Sequence, residues 1–254
     1  MTDDTTGRAG SPRIPTALSE RSTARPSRRQ FLRVLGLGGT IALLPGAEAC
    51  DSDVSTEPAN GIPASGNPVV IDFAQGDVAV LQLASVLEQI QAEFYSRLVA
   101  AFATSNIAAG EQAVLTEIRD HELAHRAFLE GSLGAAAIPV TATFRGVDFA
   151  DRIAALTAAR TLEDLGIATY NGAAQYLTTP GTLLELAKIA SVEGRHSSTI
   201  RDLQEPRTAA FSPAASDDAW RPAKAATSLQ GYLVEKLGFA NAPEVFVQGP
   251  NGGG

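Results

Sequence analysis

The chain has 254 residues, of which 44% are hydrophobic and only 6% aromatic, and its formal net charge is -8. This balance favours a helical protein over a β-sandwich. Residues 1–49 contain seven Arg and four acidic residues, so the remainder carries 13 basic and 24 acidic residues. Such an acidic chain is a poor candidate for binding nucleic acid or anionic lipid surfaces. Its single cysteine, Cys50, excludes an internal disulfide.

The first 49 residues have the features of an export signal. Residues 1–26 are polar and lack a helical or strand period, which predicts disorder. Residues 27–33, Ser-Arg-Arg-Gln-Phe-Leu-Arg, resemble the twin-arginine export signal. The apolar run 34–44 is too short to span a bilayer but has the length of a signal peptide's hydrophobic region. We therefore expect export by the twin-arginine route to the periplasm or cell envelope.

Cys50 follows Ala-Glu-Ala, a small-x-small pattern typical of signal cleavage. Cys50 is thus a candidate for lipidation, as the first residue of a mature lipoprotein anchored to the membrane. Glu48 departs from the small residue usual at its position in lipoproteins. The alternative is ordinary signal-peptidase cleavage that leaves Cys50 unmodified. Residues 50–74 are mostly polar, with proline and glycine, and are interpreted as a linker.

Apolar residues spaced by three and four positions predict four helices between residues 75 and 205. They span roughly 76–104, 110–133, 149–177 and 180–204. Between the second and third, Pro139 and Gly146 interrupt a stretch without helical period. Its fifteen residues could cover ~45 Å at about 3 Å each, enough to run the length of a bundle.

Two short connections flanking one long crossover are typical of a ferritin-like bundle. The predicted fold is therefore all-α, a ferritin-like four-helix bundle with a long crossover between helices 2 and 3. Residues 206–254 form a C-terminal extension with one short helix expected near 226–238 and a glycine-rich end.

Six ionisable residues interrupt the apolar stripes where core residues are expected. They are Glu88 in the first helix, Glu122 and His125 in the second, Glu163 in the third, and Glu193 and His196 in the fourth. In each Glu-x-x-His pair both side chains share one helix face. One Glu from each of two helices, with Glu-x-x-His from the other two, is the ligand set of di-iron and di-manganese carboxylate proteins. If the stripes are mis-phased, the glutamates would instead lie on solvated faces.

Charge supports the same interpretation. Four carboxylates buried close together would be costly unless some are protonated or cations lie between them. Two divalent metal ions would balance four negative charges. Oxygen and imidazole donors suit iron, manganese or zinc better than calcium.

The chain also contains an internal repeat of two helical hairpins. Tyr95 follows Glu88 by seven residues, and Tyr170 follows Glu163 at the same spacing. We expect Tyr95, Tyr170 and Gln91 to lie just outside the metal ligands. Core packing alone is the alternative role for the two tyrosines. The third histidine, His121, is one position off the ligand face and is expected at the surface or behind a ligand.

Two segments resemble a known family. Residues 87–95 (Leu-Glu-Gln-Ile-Gln-Ala-Glu-Phe-Tyr) and 162–170 (Leu-Glu-Asp-Leu-Gly-Ile-Ala-Thr-Tyr) are similar to the first and third helices of exported ferritin-like proteins, which include desiccation-related proteins. The resemblance covers about 130 residues and implies the ferritin-like fold. Many members of this family are thought to lack a full ligand set, whereas this chain retains all six residues.

Several functions fit this pattern. The leading hypothesis is a di-metal oxidase or ferroxidase using oxygen or peroxide, with iron as the metal and manganese as the alternative. The ligands of the first two helices would hold one ion and those of the last two the other, with Glu122 and Glu193 bridging. A non-catalytic stress or desiccation-related envelope protein, a di-manganese catalase and a storage cage are the alternatives. The candidate lipid anchor at Cys50 and the C-terminal extension argue against a closed cage, and homo-oligomerisation is left open.

Overall fold

The computed structural model describes residues 67–245, and four long helices form most of this part of the chain. They are α1 (Asp77–Ala100), α2 (Ala109–Leu133), α3 (Arg152–Ala173) and α4 (Pro180–Gln204). The prediction of a helical bundle is confirmed. The first and third helices end earlier than predicted because 3-10 turns, Phe102–Thr104 and Ala174–Tyr176, occupy their expected last turns.

Helix α1 is the centre of the bundle. Every residue from Ala79 to Ala92 is buried, because α2, α3 and the α2–α3 connection together surround the helix. A helix that is apolar on all sides is expected in such a central position. Polar groups on α1 between these limits are consequently held inside the protein and need partners there.

The α2–α3 connection is a crossover, as predicted, and α1 supplies its anchors. The side-chain amide of Gln89 donates to the carbonyl of Ile138 at 2.9 Å and accepts from the backbone N–H of Val140 at 3.1 Å. Further along, the guanidinium of Arg97 lies 5.2 Å from the centre of the Phe144 ring. The crossover therefore runs beside α1 from its middle towards its C-terminus, so that α3 begins at the end of the bundle where α1 stops.

A small parallel sheet joins the end of the predicted linker to the C-terminal extension. Strand β1 (Val69–Asp72) pairs with β2 (Leu237–Ala240), with Val69 opposite Leu237. The predicted linker 50–74 therefore includes a strand at its end. Local periodicity could not indicate it, because each strand has only four residues and its partner is far away in sequence.

The C-terminal extension also differs from its prediction. Its helix, α5 (Pro222–Leu229), begins and ends earlier than the expected 226–238, and a 3-10 turn then leads into β2. Proline at the first position of α5 explains its start, since proline favours the first helical turn. The extension packs on α3 and adds a strand to the N-terminal segment.

Gly172 determines how closely the extension approaches α3. The backbone N–H of Trp220 donates to the carbonyl of Ala168 at 2.8 Å, so the chain crosses the helix surface at contact distance. A Cβ built on Gly172 would lie 1.7 Å from the Trp220 carbonyl oxygen. Any side chain at position 172 must therefore displace backbone rather than a flexible side chain.

We expect Gly172→Ala to destabilise the protein by about 1–3 kcal/mol, as overpacking does in cores. Gly131→Ala is the matched control, because Gly131 is exposed in α2 and a Cβ there meets nothing within 4 Å. That control should gain up to about 1 kcal/mol from helix propensity. Thermal melts would measure both, and trypsin digestion would report release of the segment around Lys224. Equal melting temperatures for the two variants would contradict this account of the docking.

The predicted export signal and Cys50 lie outside the described residues and stay predictions. Within residues 67–245, no helix combines the length and apolarity needed to cross a membrane.

Candidate metal centre

The bundle brings all six predicted ligand residues together in its interior. The four glutamates, Glu88, Glu122, Glu163 and Glu193, have no exposed surface, and His125 and His196 are each 4% exposed. Their ligand atoms fall into two groups of four in which all atoms lie within 4.8 Å of one another. Glu122 and Glu193 belong to both groups, Glu88 and His125 to one, and Glu163 and His196 to the other.

The first group surrounds one ring nitrogen of His125. Its Nδ1 lies 3.0 Å from Oε1 of Glu193, 3.5 Å from Oε2 of Glu88 and 3.7 Å from Oε2 of Glu122. Three carboxylates from three helices therefore face a single imidazole nitrogen. Glu122 and His125 reach this point together because they are three residues apart on α2.

The second group surrounds His196 in the same way. Its Nδ1 lies 2.7 Å from Oε1 of Glu122 and 3.8 Å from both Oε2 of Glu163 and Oε1 of Glu193. Glu122 thus presents one oxygen to each histidine, and Oε1 of Glu193 faces both. Glu122 and Glu193 are the two residues predicted to bridge, and bridging itself stays a prediction.

These close approaches are at ion-pairing distance but lack the alignment of regular hydrogen bonds. Within the described residues, no hydrogen-bond partner satisfies several buried ligand atoms: Oε2 of Glu88, both carboxylate oxygens of Glu122, Oε1 of Glu193, and Nδ1 of His125 and His196. Buried polar atoms are almost always satisfied, so a converging set of orphans indicates a missing partner. The donors are oxygen and imidazole nitrogen, which fits iron, manganese or zinc.

Each tyrosine binds a glutamate of the other half of the repeat. Tyr95 donates its hydroxyl to Oε1 of Glu163 at 2.5 Å, and Tyr170 donates to Oε1 of Glu88 at 2.5 Å. The later residue of each helix therefore pairs with the earlier residue of the other, which means that α1 and α3 run antiparallel. Burial, followed by the nearby glutamate charge, raises the pKa of both phenols well above the usual value, so both remain hydrogen donors.

Gln91 lies against two of the same carboxylates. Its side-chain N–H group lies 3.2 Å from Oε2 of Glu193 and 3.4 Å from Oε2 of Glu163. A Cβ on Gly166 would approach the Gln91 amide nitrogen to 3.1 Å, so glycine leaves the room that this side chain occupies. Within the described residues, the Gln91 Oε1 atom is buried without a hydrogen-bond partner.

His121 lies behind a candidate ligand, one of the two places expected from the sequence. Its Nδ1 is 3.0 Å from Nε2 of His196, and the two rings stack with centroids 5.2 Å apart and an interplanar angle of 11°. His121 is itself exposed. Sequence spacing could not reveal this contact, because it depends on how α2 and α4 are rotated relative to each other.

The ionisation of the glutamates reflects their crowding. Burial raises the pKa of Glu88 to about 7, and burial together with repulsion from Glu122 raises the pKa of Glu163 well above its usual value. Burial and the charge of Glu193 oppose ionisation of Glu122. Its contacts with His125 and His196 outweigh both and lower its pKa.

The pKa values of the two candidate histidine ligands depend on burial and on the surrounding carboxylates, which act in opposite directions. Burial lowers the pKa of His125 and His196, but the surrounding carboxylates outweigh that effect and raise both values. Without metal, protons therefore supply the positive charge that the carboxylates need. A divalent metal ion would replace those protons.

Comparison with known families agrees with this architecture. Residues 76–206 match the model of a family described as ferritin-like domain. The chain belongs to this family. The match spans the four helices and all six candidate ligands, which confirms the predicted ferritin-like fold. No curated protein matches the chain.

The metal-free ferritin-like protein should lose stability as the pH rises from about 4.5 through about 7, the ordinary and the folded pKa of Glu88. The folded pKa of Glu88, about 7, exceeds its ordinary value of 4.5, so its contribution is lost as the pH rises towards 7. The raised pKa values of Glu163, His125 and His196 act in the same direction. Glu122, with its lowered pKa, changes its contribution only at more acidic pH.

Melting temperatures of chelator-treated protein across this range would measure the effect. A melting temperature that rises with pH in the absence of metal would show that the buried cluster is not protonated in this way. Metal should oppose the trend, because its binding displaces protons and strengthens as the pH rises.

Proposed function

We propose that this protein is a di-metal carboxylate protein, with iron as the favoured metal, which carries out oxidase- or ferroxidase-like chemistry with oxygen or peroxide. The supporting observation is the set of buried carboxylate oxygens and imidazole nitrogens that converge without hydrogen-bond partners. Glu88 and His125 would hold one ion, Glu163 and His196 the other, with Glu122 and Glu193 shared between them.

The charge of the cluster favours two ions rather than one. Four carboxylates carry up to four negative charges, and burying each unpaired would cost several kcal/mol. Two divalent ions neutralise them together. One ion would leave the second imidazole nitrogen and its carboxylates without a partner inside the bundle.

Other side chains hold the ligands in place. Tyr95 and Tyr170 each donate a hydrogen bond to Oε1 of Glu163 or Glu88, while the Oε2 atom of each carboxylate faces a histidine of the centre. Such outer contacts fix ligand orientation and tune metal affinity. Complete burial of the four glutamates keeps water from competing for them.

Bound iron, held by the six Glu and His residues, would supply redox chemistry toward oxygen or peroxide. Gln91 lies next to Glu163 and Glu193 with its Oε1 free of hydrogen-bond partners in the described part of the chain. That oxygen can accept a hydrogen bond from a protonated molecule entering the centre. The phenol hydroxyls of Tyr95 and Tyr170 stay protonated and serve as donors to the ligands.

The test is oxidation of loaded iron. Protein loaded anaerobically with Fe(II) would be mixed with oxygen or with peroxide, and near-ultraviolet absorbance would follow iron oxidation. We expect oxidation faster than that of free Fe(II) in the same buffer. The double variant Glu122→Ala, Glu193→Ala is the control and should behave like free iron.

Three other outcomes point elsewhere. Parent protein that oxidises iron no faster than the double variant would refute the oxidase and ferroxidase proposals. Tight iron binding without oxidation would support the non-catalytic envelope protein, in which metal holds the bundle together. Peroxide disproportionation by manganese-loaded protein alone would favour the catalase-like alternative.

A further inference from the structure

The two halves of the metal centre are not chemically equivalent. The internal repeat matches Glu122 with Glu193 and His125 with His196. In the same alignment His121 corresponds to Val192. The repeat therefore places an imidazole at one position and an aliphatic side chain at its counterpart.

The imidazole of His121 acts on only one of the two candidate histidine ligands. The Nδ1 atom of His196 faces the carboxylates, while its Nε2 atom lies 3.0 Å from Nδ1 of His121. A histidine that binds metal through Nδ1 carries its proton on Nε2. That proton can be donated to Nδ1 of His121, which fixes both the tautomer and the ring orientation of His196. Val192, the residue at the corresponding position of the repeat, has no acceptor in its side chain.

A second difference lies on the same side of the centre. Gln91 in α1 corresponds to Gly166 in α3, which has no side chain. The Gln91 amide contacts Glu163, which belongs only to the group around His196, and Glu193, which both groups share. His121 and Gln91, which have no polar counterpart in the repeat, therefore each contact a ligand that belongs only to the group around His196. The tyrosine contacts, by comparison, are present in both halves.

We propose that the metal position at His196 binds its ion first and more tightly than the position at His125, with His121 as the positioning residue responsible. This inference rests on the proposed two-metal centre and specifies how it loads. Because the ring of His196 is already oriented before metal binds, the position at His196 loses less conformational entropy on binding. The position at His125 fills at higher metal concentration.

The experiment is an anaerobic titration of the full-length protein with Co(II), followed by its visible absorbance. Removal of an outer hydrogen bond to a histidine ligand typically weakens metal binding by about 10–100-fold. We expect two separate binding steps in the parent, and a tighter step weakened by about that factor in His121→Ala. Val192→Ala is the matched control at the corresponding repeat position and should leave the tighter step unchanged.

A rescue variant separates positioning from packing. In His121→Asn the side-chain oxygen can accept the hydrogen bond from His196, so the tighter step should return towards the parent value. Proton NMR of the Co(II)-loaded protein gives an independent readout. One shifted imidazole N–H signal should persist in water for the parent and His121→Asn, and disappear through solvent exchange in His121→Ala.

Two results would overturn the inference in distinguishable ways. If the parent takes up two Co(II) ions with equal affinity, or His121→Ala changes neither step, the centre stands but His121 does not position it. If the parent binds no Co(II), the two-metal centre itself is wrong and the inference fails with it. Thermal melts of the metal-free variants would verify that each is folded.

Discussion

Replacing Glu122 with glutamine is expected to weaken metal binding at both positions by more than about a hundredfold, beyond the 10–100-fold typical of outer-shell changes. The two oxygens of Glu122 face different histidines, with Oε1 2.7 Å from Nδ1 of His196 and Oε2 3.7 Å from Nδ1 of His125. Glutamine keeps the shape of the side chain but removes its charge and one acceptor. A single substitution should therefore affect both ions.

Glu130→Gln provides the control for this substitution. Glu130 lies on the same helix and pairs with Arg126 at 2.8 Å, with both side chains substantially exposed. Exposed pairs of this kind contribute about 0–1 kcal/mol and do not reach the centre. Competition with a chromophoric chelator would measure both affinities. Unchanged metal affinity in Glu122→Gln would mean that Glu122 is not a ligand.

Metal loading is expected to raise the melting temperature by roughly 15–30 °C. An ion at about 1,000 times its dissociation constant stabilises the folded state by about 4 kcal/mol, so two ions would contribute about 8 kcal/mol. For a domain of this size each kcal/mol corresponds to about 2–4 °C. The effect is large because metal also replaces protons on the crowded glutamates.

Calorimetry with and without saturating Mn(II) at neutral pH would measure this shift while avoiding iron oxidation. A chelator should reverse it. The double variant Glu122→Ala, Glu193→Ala should show little shift at the same metal concentration. A parent melting temperature that does not respond to Mn(II), Fe(II) or Co(II) would be incompatible with ions held between the four helices.

The sequence was most informative about the interior of the bundle. Glu122 and His125 interrupt an apolar stripe at i and i+3, and helix geometry alone places both on the buried face. The same pattern recurs at Glu193 and His196, so two independent segments support one interpretation. Their convergence then follows from packing four amphipathic helices around a common core.

Features that depend on distant contacts were harder to predict. Strand β1 is four residues long and finds its partner in β2 near the other end of the described chain. The role of Gly172 depends on where Trp220 crosses α3, which no local pattern records. The crossover was identified from its length and its proline, but not its anchoring by Gln89.

The inequivalence of the two halves combines both kinds of information. The repeat that relates Glu122 to Glu193 can be identified in the sequence. The sequence also shows that Val192 occupies the repeat position that corresponds to His121. Its consequence became apparent only when the structure placed His121 against His196 across the α2–α4 pair. A difference between repeats is therefore most informative once its neighbours in space are known.

The number of metal ions that each chain binds is the most direct test of the two-metal centre. Chelator-treated protein would be dialysed to equilibrium against Fe(II) under anaerobic conditions, and iron and protein would be measured in the same sample. We expect about two irons per chain, because the centre offers two groups of four candidate ligands that share two glutamates. Iron no higher than in the Glu122→Ala, Glu193→Ala variant would contradict it.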